Sequence, residues 1–399
     1  MRPREKARRP REESVSPPPA GSPGSGLARD EAAGGPIRDG NAGAPAGQPN
    51  GRGRRGRGAE RSMVPPADFR SYYGRPVVKP PVWHHDIAAY LFTGGLAAGS
   101  ALLAAGGQST GRPALRRAGR VTALGALAAS TYFLVHDLGR PERFHHMLRV
   151  AKPTSPMSMG TWILSAFGAA AGVAAVSEAA PLLPERGALG VARTLLPPVG
   201  AAGGYGAAVL APGLATYTAV LLADTATPSW HAAYPELPFV FAGSAMASGA
   251  GVGLIAAPAG QAGPARRLAA FGAALELLGA HRVETTKGLL SEPYAAGRPG
   301  RFLRAGRALT AAGAAGAFLG RRSRVVSALS GLSLLTASLL TRFGIFEGGV
   351  ASAEDPKYTV VPQRERLAKR HGGAEKIDAD KIGPERTGKT APGPAASGL

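Results

Sequence analysis

The chain of 399 residues contains no cysteine, and charged side chains make up only 18% of it. Without cysteine the chain can form no disulfide bond, offers no thiolate nucleophile, and cannot by itself hold cysteine-ligated zinc or an iron–sulfur cluster. Acidic residues are scarce as well, since 26 Asp and Glu stand against 47 Lys and Arg, for a formal net charge of +21. These absences remove several classes of enzyme and make the placement of the few charges informative.

The charges cluster and leave long uncharged runs in the middle of the chain. Several runs reach the roughly 20 residues that a helix needs to cross about 30 Å of hydrocarbon. A soluble protein has no use for so many such runs, so we predict an all-α polytopic membrane protein with about eight transmembrane helices. The predicted spans are residues 86–107, 118–137, 160–178, 199–223, 238–257, 266–282, 303–320 and 325–343. The sixth is interrupted by Glu276 and the seventh is short, so a count of six or seven spans is the alternative.

The two ends of the chain differ from this apolar centre. Residues 1–69 are rich in Pro, Gly and Arg and poor in large apolar residues, which predicts a disordered basic tail. The stretch Gly51–Gly58 resembles RGG segments, but no aromatic residue interleaves with its arginines, so we expect no nucleic-acid partner. A membrane domain over residues 70–351 and a polar C-terminal tail over 352–399 complete the predicted organisation.

An even number of spans places both termini on the same side of the membrane. If that side is the cytoplasm, the inner loops and juxtamembrane segments hold slightly more Lys and Arg than the outer loops. Arg342 counts among these juxtamembrane residues because the last predicted span ends at residue 343. The positive-inside rule therefore predicts cytoplasmic termini by a small margin, in a multi-pass protein of the cell's inner or plasma membrane.

A few polar side chains interrupt the apolar spans, and such groups are candidates for function by default. Under the eight-span topology, the ends of the first, second, fourth and sixth spans meet at one membrane face. Aromatic and His side chains there can anchor the helices at the interface, and carboxylates can pair with Arg, so each has a structural alternative. The candidates for binding a cofactor are His84, His85, Tyr90, His136 and Tyr217, and those for proton transfer are Asp137, Asp224, Glu276 and His281.

Two segments after the second span carry a family resemblance. The loop Asp137–Phe144, followed by Lys152–Trp162 with its Pro-Thr-Ser-Pro-Met sequence, closely resembles the NrfD family of membrane subunits of polysulfide-reductase-like complexes. Supporting matches precede the first span, occupy the glycine-rich first span and follow the last span. The resemblance covers about residues 70–363. Besides the two segments, the matching residues are Tyr73–Pro76, Gly94–Ser100, Pro212–Leu214, Asp224, Trp230 and Asp355–Tyr358.

The resemblance implies two four-helix bundles and a quinone, menaquinone or ubiquinone, that exchanges with the membrane pool near one face. It also implies a ferredoxin-like four-cluster iron–sulfur subunit at that face and a molybdopterin catalytic subunit beyond it, with no haem or iron–sulfur cluster in the chain itself. Tyr90 and His84 correspond to the family's polar residue on the first helix. Ala211 stands where an aromatic is expected before Pro212, so Tyr217 is a substitute candidate.

The leading hypothesis is a quinone-binding subunit of a multi-subunit oxidoreductase, polysulfide reductase-like or formate dehydrogenase-like, without catalysis of its own. Tyr and His would donate hydrogen bonds to the quinone, and carboxylates and His would relay protons. Arg140, Arg143 and Lys152 would face the partner subunit or the quinone entrance. The alternatives are a small-solute or proton transporter and a purely structural membrane anchor.

Overall fold

The computed structural model describes residues 76–381, with side chains to residue 370, and this part of the chain is helical without strands. The predicted basic tail, residues 1–69, therefore lies outside the described residues. Short 3-10 segments occupy Pro141–Leu148, Ala180–Leu182 and Gly288–Ser291. The helices are α1 His85–Ser109, α2 Pro113–His136, α3 Pro156–Ser177, α4 Gly187–Ala223, α5 Pro228–Ala232, α6 Leu237–Ala256, α7 Gly263–Thr286, α8 Glu292–Ala295, α9 Gly297–Leu319, α10 Arg324–Glu354 and α11 Lys357–Lys381.

Each predicted span lies inside one of the long helices or passes its end by a single residue, and several helices extend well beyond the predicted span. Six of them, α1, α2, α3, α4, α6 and α10, are long and apolar enough to cross a membrane. Helices α7 and α9 carry several charged residues and do not meet that criterion, so the count of eight spans is not confirmed. The prediction of an all-α polytopic membrane protein is confirmed.

The long helices pack in two groups of four. In the first bundle α1 packs on α2 and α4, and α3 packs on α4 and α2. In the second bundle α6 packs on α7 and α10, and α9 packs on α10 and α7. The same order of neighbours in both bundles follows from short connections, which make consecutive helices antiparallel neighbours.

The two bundles meet where α1 crosses α6 through facing glycines. A Cβ atom on Gly99 would lie 1.8 Å from the carbonyl oxygen of Ala245, and one on Gly249 would lie 2.2 Å from the carbonyl carbon of Gly99. Only glycine permits this approach of two backbones, which is how small residues serve helix packing in membranes. Gly95, one turn before Gly99 on α1, lies at the same junction, since a Cβ atom there would be 3.7 Å from the Cβ of Ala245.

Helix α10 continues well past the end of the span predicted from the sequence. It runs to Glu354, so the interpretation of Arg342 as a juxtamembrane residue is wrong: its side chain is fully buried inside the protein. In the sequence, a charged residue after an apolar run indicates the end of a transmembrane span. Arg342 does not mark such an end, because neighbouring helices enclose it and it lies next to Gly95 of α1. The charge is instead accommodated by contacts within the bundle.

Candidate functional site

A cavity of about 290 Å³ opens at one end of the first bundle. All four helices of that bundle contribute to its wall, together with the residues just before α1 and just after α2. Most of the lining is apolar, and its polar groups are Tyr90, Asp137, Thr161 and Tyr217. The other lining residues are Val82, Trp83, Ile87, Leu134, Leu138, Met147, Met157 and Leu221. An apolar cleft with a few placed polar groups is the usual form of a small-molecule site.

Helix α1 supplies one wall through residues that share a face. Ile87 and Tyr90 are three residues apart and therefore point the same way from the helix. The ring of Tyr90 is buried, and within the described residues its hydroxyl makes no hydrogen bond to the protein, while its backbone carbonyl accepts one from Ser130 at 3.4 Å. The hydroxyl is thus a free donor at the cavity wall.

The opposite wall depends on the loop that carries the Pro-Thr-Ser-Pro-Met sequence. Ser155 caps α3 by accepting a hydrogen bond from the backbone N–H of Ser158, whose own hydroxyl donates to the carbonyl of Val150 at 2.8 Å. These bonds fix the start of α3, so that Met157 and Thr161, one turn apart, both face the cavity. The motif thereby builds part of the cavity rather than a separate surface.

Tyr217 on α4 reaches the cavity because the residue of α3 that faces its ring is a glycine. A Cβ atom on Gly160 would lie 2.1 Å from the Tyr217 ring, so any larger residue would displace the tyrosine. Like Tyr90, Tyr217 is buried and its hydroxyl makes no hydrogen bond to the described part of the protein. The substitute candidate from the sequence therefore lies in the same cavity as Tyr90.

A carboxylate at the cavity is connected to solvent by a histidine. Asp137 caps the end of α2, lines the cavity, and has a side chain that is only 8% exposed. The backbone N–H of His84 donates to its Oδ1 at 3.3 Å, and the His84 Nδ1 lies 3.3 Å from the same oxygen. The His84 side chain itself is 80% exposed. The pair therefore joins the inside of the cavity to the surface.

The family whose sequence model is described as "Polysulphide reductase, NrfD" matches residues 76–276, just over half of the 399 residues. The chain belongs to the NrfD family. Its members are membrane subunits of polysulfide-reductase-like oxidoreductase complexes. The match spans every residue that lines the cavity, and it ends at Glu276 in α7, short of the motifs that the sequence suggested near residue 358. Among curated proteins, none matches the chain significantly.

Two further His–carboxylate pairs surround the start of α1 in this NrfD-family protein. His136 at the end of α2 places Nδ1 2.8 Å from Oδ2 of Asp86, in reciprocal fashion to the His84–Asp137 pair. His85 turns the other way and places Nε2 3.6 Å from Glu347 on α10, which also lies 3.4 Å from Arg298. His84 thus adjoins a cavity-lining residue, whereas His85 and His136 pair outside the cavity lining.

A short helix links the cavity wall to the second bundle. Trp83, which lines the cavity, stacks on Trp230 of α5 with ring centroids 6.0 Å apart. Trp230 is fully buried and donates its indole N–H to the carbonyl of Ile345 at 2.8 Å. Gly349 makes room for it, because a Cβ atom there would lie 1.9 Å from the indole nitrogen. The wall of the cavity is therefore braced by α10.

Glu276 lies in the second bundle, apart from the cavity. Thr341 donates to its Oε1 at 2.7 Å and Thr310 lies within hydrogen-bond distance of its Oε2 at 3.3 Å. A separate cavity of about 30 Å³ adjoins it, enough for a water molecule and lined in part by Tyr294. The structure therefore does not bring Glu276 together with Tyr90 and Asp137.

Arg342 is a buried cation that the sequence pattern does not reveal. Its guanidinium donates to the carbonyl of Phe241 at 2.7 Å and lies 3.8 Å from the centre of the Phe241 ring. It packs against Gly95, whose Cβ would lie 2.8 Å from the guanidinium, and so it occupies the junction of α1, α6 and α10. The only available signal was a lone cation after a long apolar run, which equally marks the end of a span.

The remaining predicted site residues lie on the surface. Asp224 caps the end of α4 and His281 lies on α7, both exposed and outside the cavity lining. Arg140, Arg143 and Lys152 are exposed on and around the 3-10 segment that contributes Met147 to the cavity. Within residues 76–381, no group of three or more His, Asp or Glu is arranged to hold a metal ion. The cavity therefore unites Tyr90, Tyr217 and Asp137, with His84 beside it.

Proposed function

We propose that the chain binds a quinone in the cavity of the first bundle and exchanges electrons between the membrane quinone pool and an iron–sulfur partner subunit. The observation that carries this proposal is the composition of the cavity. Two tyrosine hydroxyls without a partner among the described residues and one carboxylate face an otherwise apolar space. A quinone headgroup is flat and apolar with two carbonyl oxygens, so this set of groups fits it.

The walls suit a headgroup rather than a whole quinone molecule. The volume of about 290 Å³ is just below the ~300–1,000 Å³ typical of small-molecule pockets. The isoprenoid tail would leave past exposed Met157 and half-exposed Met147, whose flexible thioether side chains adapt to an irregular ligand. Tyr90 on α1 and Tyr217 on α4 would each donate a hydrogen bond to the headgroup and orient it.

A bound quinone supplies two-electron, two-proton chemistry, so the site needs a route for protons. Asp137 faces the cavity and can accept a proton there, because a carboxylate within hydrogen-bond reach of the reacting oxygen acts as a general base. His84, 3.3 Å from Asp137 and largely in solvent, then passes the proton to the surface. Asp224, Glu276 and His281 have no place in this route, because none of them lines the cavity.

The electron partner would dock beside the cavity. Arg140 just before the 3-10 segment, Arg143 within it and Lys152 after it form an exposed cationic surface next to Met147. We propose that this surface receives a ferredoxin-like iron–sulfur subunit, which passes electrons to or from a molybdopterin subunit. Cationic side chains at the rim would steer an acidic partner and set its association rate.

Replacing Tyr90 by Phe tests the proposal because it removes one hydroxyl and keeps the ring. The net loss of one hydrogen bond is about 0.5–1.5 kcal/mol, so the Kd for a quinone analogue should rise about two- to tenfold. Quenching of tryptophan fluorescence in the purified complex measures this binding, since Trp83 lines the cavity.

Tyr294→Phe is the matched control for this experiment. Tyr294 is a buried tyrosine on α8, beside the second bundle, and its hydroxyl also has no partner among the described residues. Its loss should leave quinone binding unchanged. Equal weakening by both variants, or no weakening by Tyr90→Phe, would rule out the proposed position of the headgroup.

A further inference from the structure

The end of the molecule opposite the cavity has far more cations than carboxylates. Its connecting segments hold two acidic residues, Glu178 and Glu185. Glu178 is already paired with Arg116 at 2.7 Å and Arg120 at 2.9 Å, and Glu185 lies 3.2 Å from Arg193. Seven arginines at this end have no carboxylate partner among the described residues, and six of them, all except Arg186, are here called the basic cluster: Arg112, Arg266, Arg267, Arg321, Arg322 and Arg324.

The basic cluster converges on the loop between α6 and α7. Arg112, which precedes α2 in the first bundle, donates to the carbonyl of Gly260 at 3.0 Å. Arg266 donates to the carbonyl of Ala259 at 3.0 Å, and Arg324 donates to the carbonyl of Ala257. Three helices of two bundles thus bring guanidinium groups to one short loop. Arg266 lies within electrostatic range of both Arg112 and Arg321, so the members repel one another.

Backbone carbonyls satisfy only part of this cluster. Arg324 bonds the last carbonyls of α6 and thereby stabilises that helix end, which accounts for its own position. Arg267, Arg321 and Arg322 are exposed and make no hydrogen bond to the described residues. Each guanidinium carries five donors in a planar fork that matches a phosphate, so the cluster has unused donors and uncompensated charge.

Exposed apolar side chains lie directly beside these charges. Leu319 is 83% exposed, Val325 is 67% exposed and Phe271, on the helix that begins beneath Arg266 and Arg267, is 64% exposed. Arg321 lies over the ring of Phe318, with 5.5 Å between the guanidinium carbon and the ring centre. Charges at the rim with apolar surface next to them match the headgroup and acyl chains of a phospholipid better than a soluble anion.

We propose that the basic cluster binds the phosphate headgroup of an anionic phospholipid on the membrane face opposite the cavity. The headgroup would receive charge-assisted, forked hydrogen bonds from the exposed arginines and would relieve their mutual repulsion. Because Arg112 belongs to the first bundle and the other members to the second, the bound lipid would also link the two bundles. The N-termini of α7 and α10 begin at this face and add to its attraction for an anion.

The test uses the full chain in its complex, stripped of lipid in detergent and then offered phosphatidylglycerol or phosphatidylcholine. The variant Arg267→Gln/Arg321→Gln/Arg322→Gln removes three exposed cations that make no bond to the described residues. The matched control Arg364→Gln/Lys369→Gln/Arg370→Gln removes three exposed cations from α11. Retained lipid is counted by native mass spectrometry, and quinone binding is measured in parallel.

The wild type and the control should retain phosphatidylglycerol in preference to phosphatidylcholine. The amount of phosphatidylglycerol retained by the cluster variant should be at least several-fold lower than that retained by the wild type. Quinone binding should be the same in all three proteins, which keeps this outcome separate from that of the quinone proposal. Equal retention by the cluster variant and the wild type overturns the inference, as does an equal loss in the control. If millimolar inorganic phosphate displaced the lipid, the cluster would be a site for free phosphate, and the proposal of a phospholipid ligand would be wrong.

Discussion

The two bundles have the same arrangement of four helices but use their polar residues in opposite ways. In the first, Asp137 faces a cavity of about 290 Å³ and is joined to solvent through the exposed His84. In the second, Glu276 is enclosed, receives two threonine hydroxyls and adjoins only about 30 Å³ of space. Burial alone is therefore a weak reason to propose a carboxylate for proton transfer, and Asp137 is the stronger candidate because it has free space beside it and a route to water.

The second bundle illustrates how membrane helices hold a buried charge without a ligand. Arg342 satisfies one donor on the carbonyl of Phe241 and lies over the face of the same residue's ring. Such cation–π contacts gain strength when the pair is removed from water. In this bundle Glu276 is paired with threonine hydroxyls, whereas two guanidinium nitrogens of Arg342 have no hydrogen-bond partner among the described residues. These groups are enclosed by the protein, while the polar residues of the first bundle face a cavity large enough for a ligand.

The largest effect is expected from Gly99→Ala, which adds a methyl group where the two bundles meet. The added Cβ would lie 1.8 Å from a backbone carbonyl oxygen, and a backbone cannot move aside without separating α1 from α6. We expect a loss of roughly 3 kcal/mol in stability, at the upper end for overpacking, measured as a lower midpoint of thermal unfolding in detergent.

Gly106→Ala on the same helix is the control, since a Cβ there would first meet an atom at 3.7 Å. If the two bundles form one cooperative unit, Gly99→Ala should also lower quinone binding in the first bundle. A variant that keeps quinone binding while the second bundle unfolds would break the view that the second bundle supports the first.

The comparison of the two carboxylates is sharpened by Asp137→Asn and Glu276→Gln. Both changes remove a charge and keep the shape of the side chain. Asp137→Asn should lower quinol-coupled turnover about 100-fold, because positioned acid–base groups contribute at least about that much. Glu276→Gln should leave turnover unchanged. Turnover of the purified complex with a quinol analogue decides the matter, and equal losses in both variants would contradict the division between the bundles.

Much of the first bundle's site was accessible from the sequence. The uncharged runs located the helices, and the eight-span topology put Tyr90, Asp137 and His84 at one face. Tyr217 was named only as a substitute, and its place in the cavity depends on Gly160 of the neighbouring helix. That contact is between residues 57 positions apart, so no local pattern reveals it.

The second bundle was harder to predict because its polar residues act through tertiary contacts. Glu276 is prominent in the sequence as an acid within an apolar segment. The sequence predicts that it lies in a helix, but it does not predict that it lies apart from the cavity. Arg342 was misplaced because a single cation has the same appearance at the end of a span and inside an enclosed helix. Which of these holds depends on neighbours such as Gly95 and Phe241.

Gly160→Ala tests whether the first bundle's cavity depends on the small residue under Tyr217. The new methyl group would lie 2.1 Å from the Tyr217 ring and force it into the cavity or away from it. We expect the Kd for a quinone analogue to rise about tenfold, a loss of about 1.4 kcal/mol of binding free energy. Gly172→Ala on the same helix meets no atom within 4 Å and should bind the quinone as the wild type does.

The smallest expected effect concerns the route from Asp137 to water, tested by His84→Gln. Because His84 is 80% exposed, water can partly replace it, so turnover should fall only several-fold. Added imidazole should restore the rate if the side chain carries protons, since a small base can occupy the position that the histidine has left. His145→Gln, an exposed histidine at the same face, should change nothing. A His84→Gln defect that imidazole does not repair would mean that His84 only positions Asp137, and the difference between the bundles would then rest on the cavity alone.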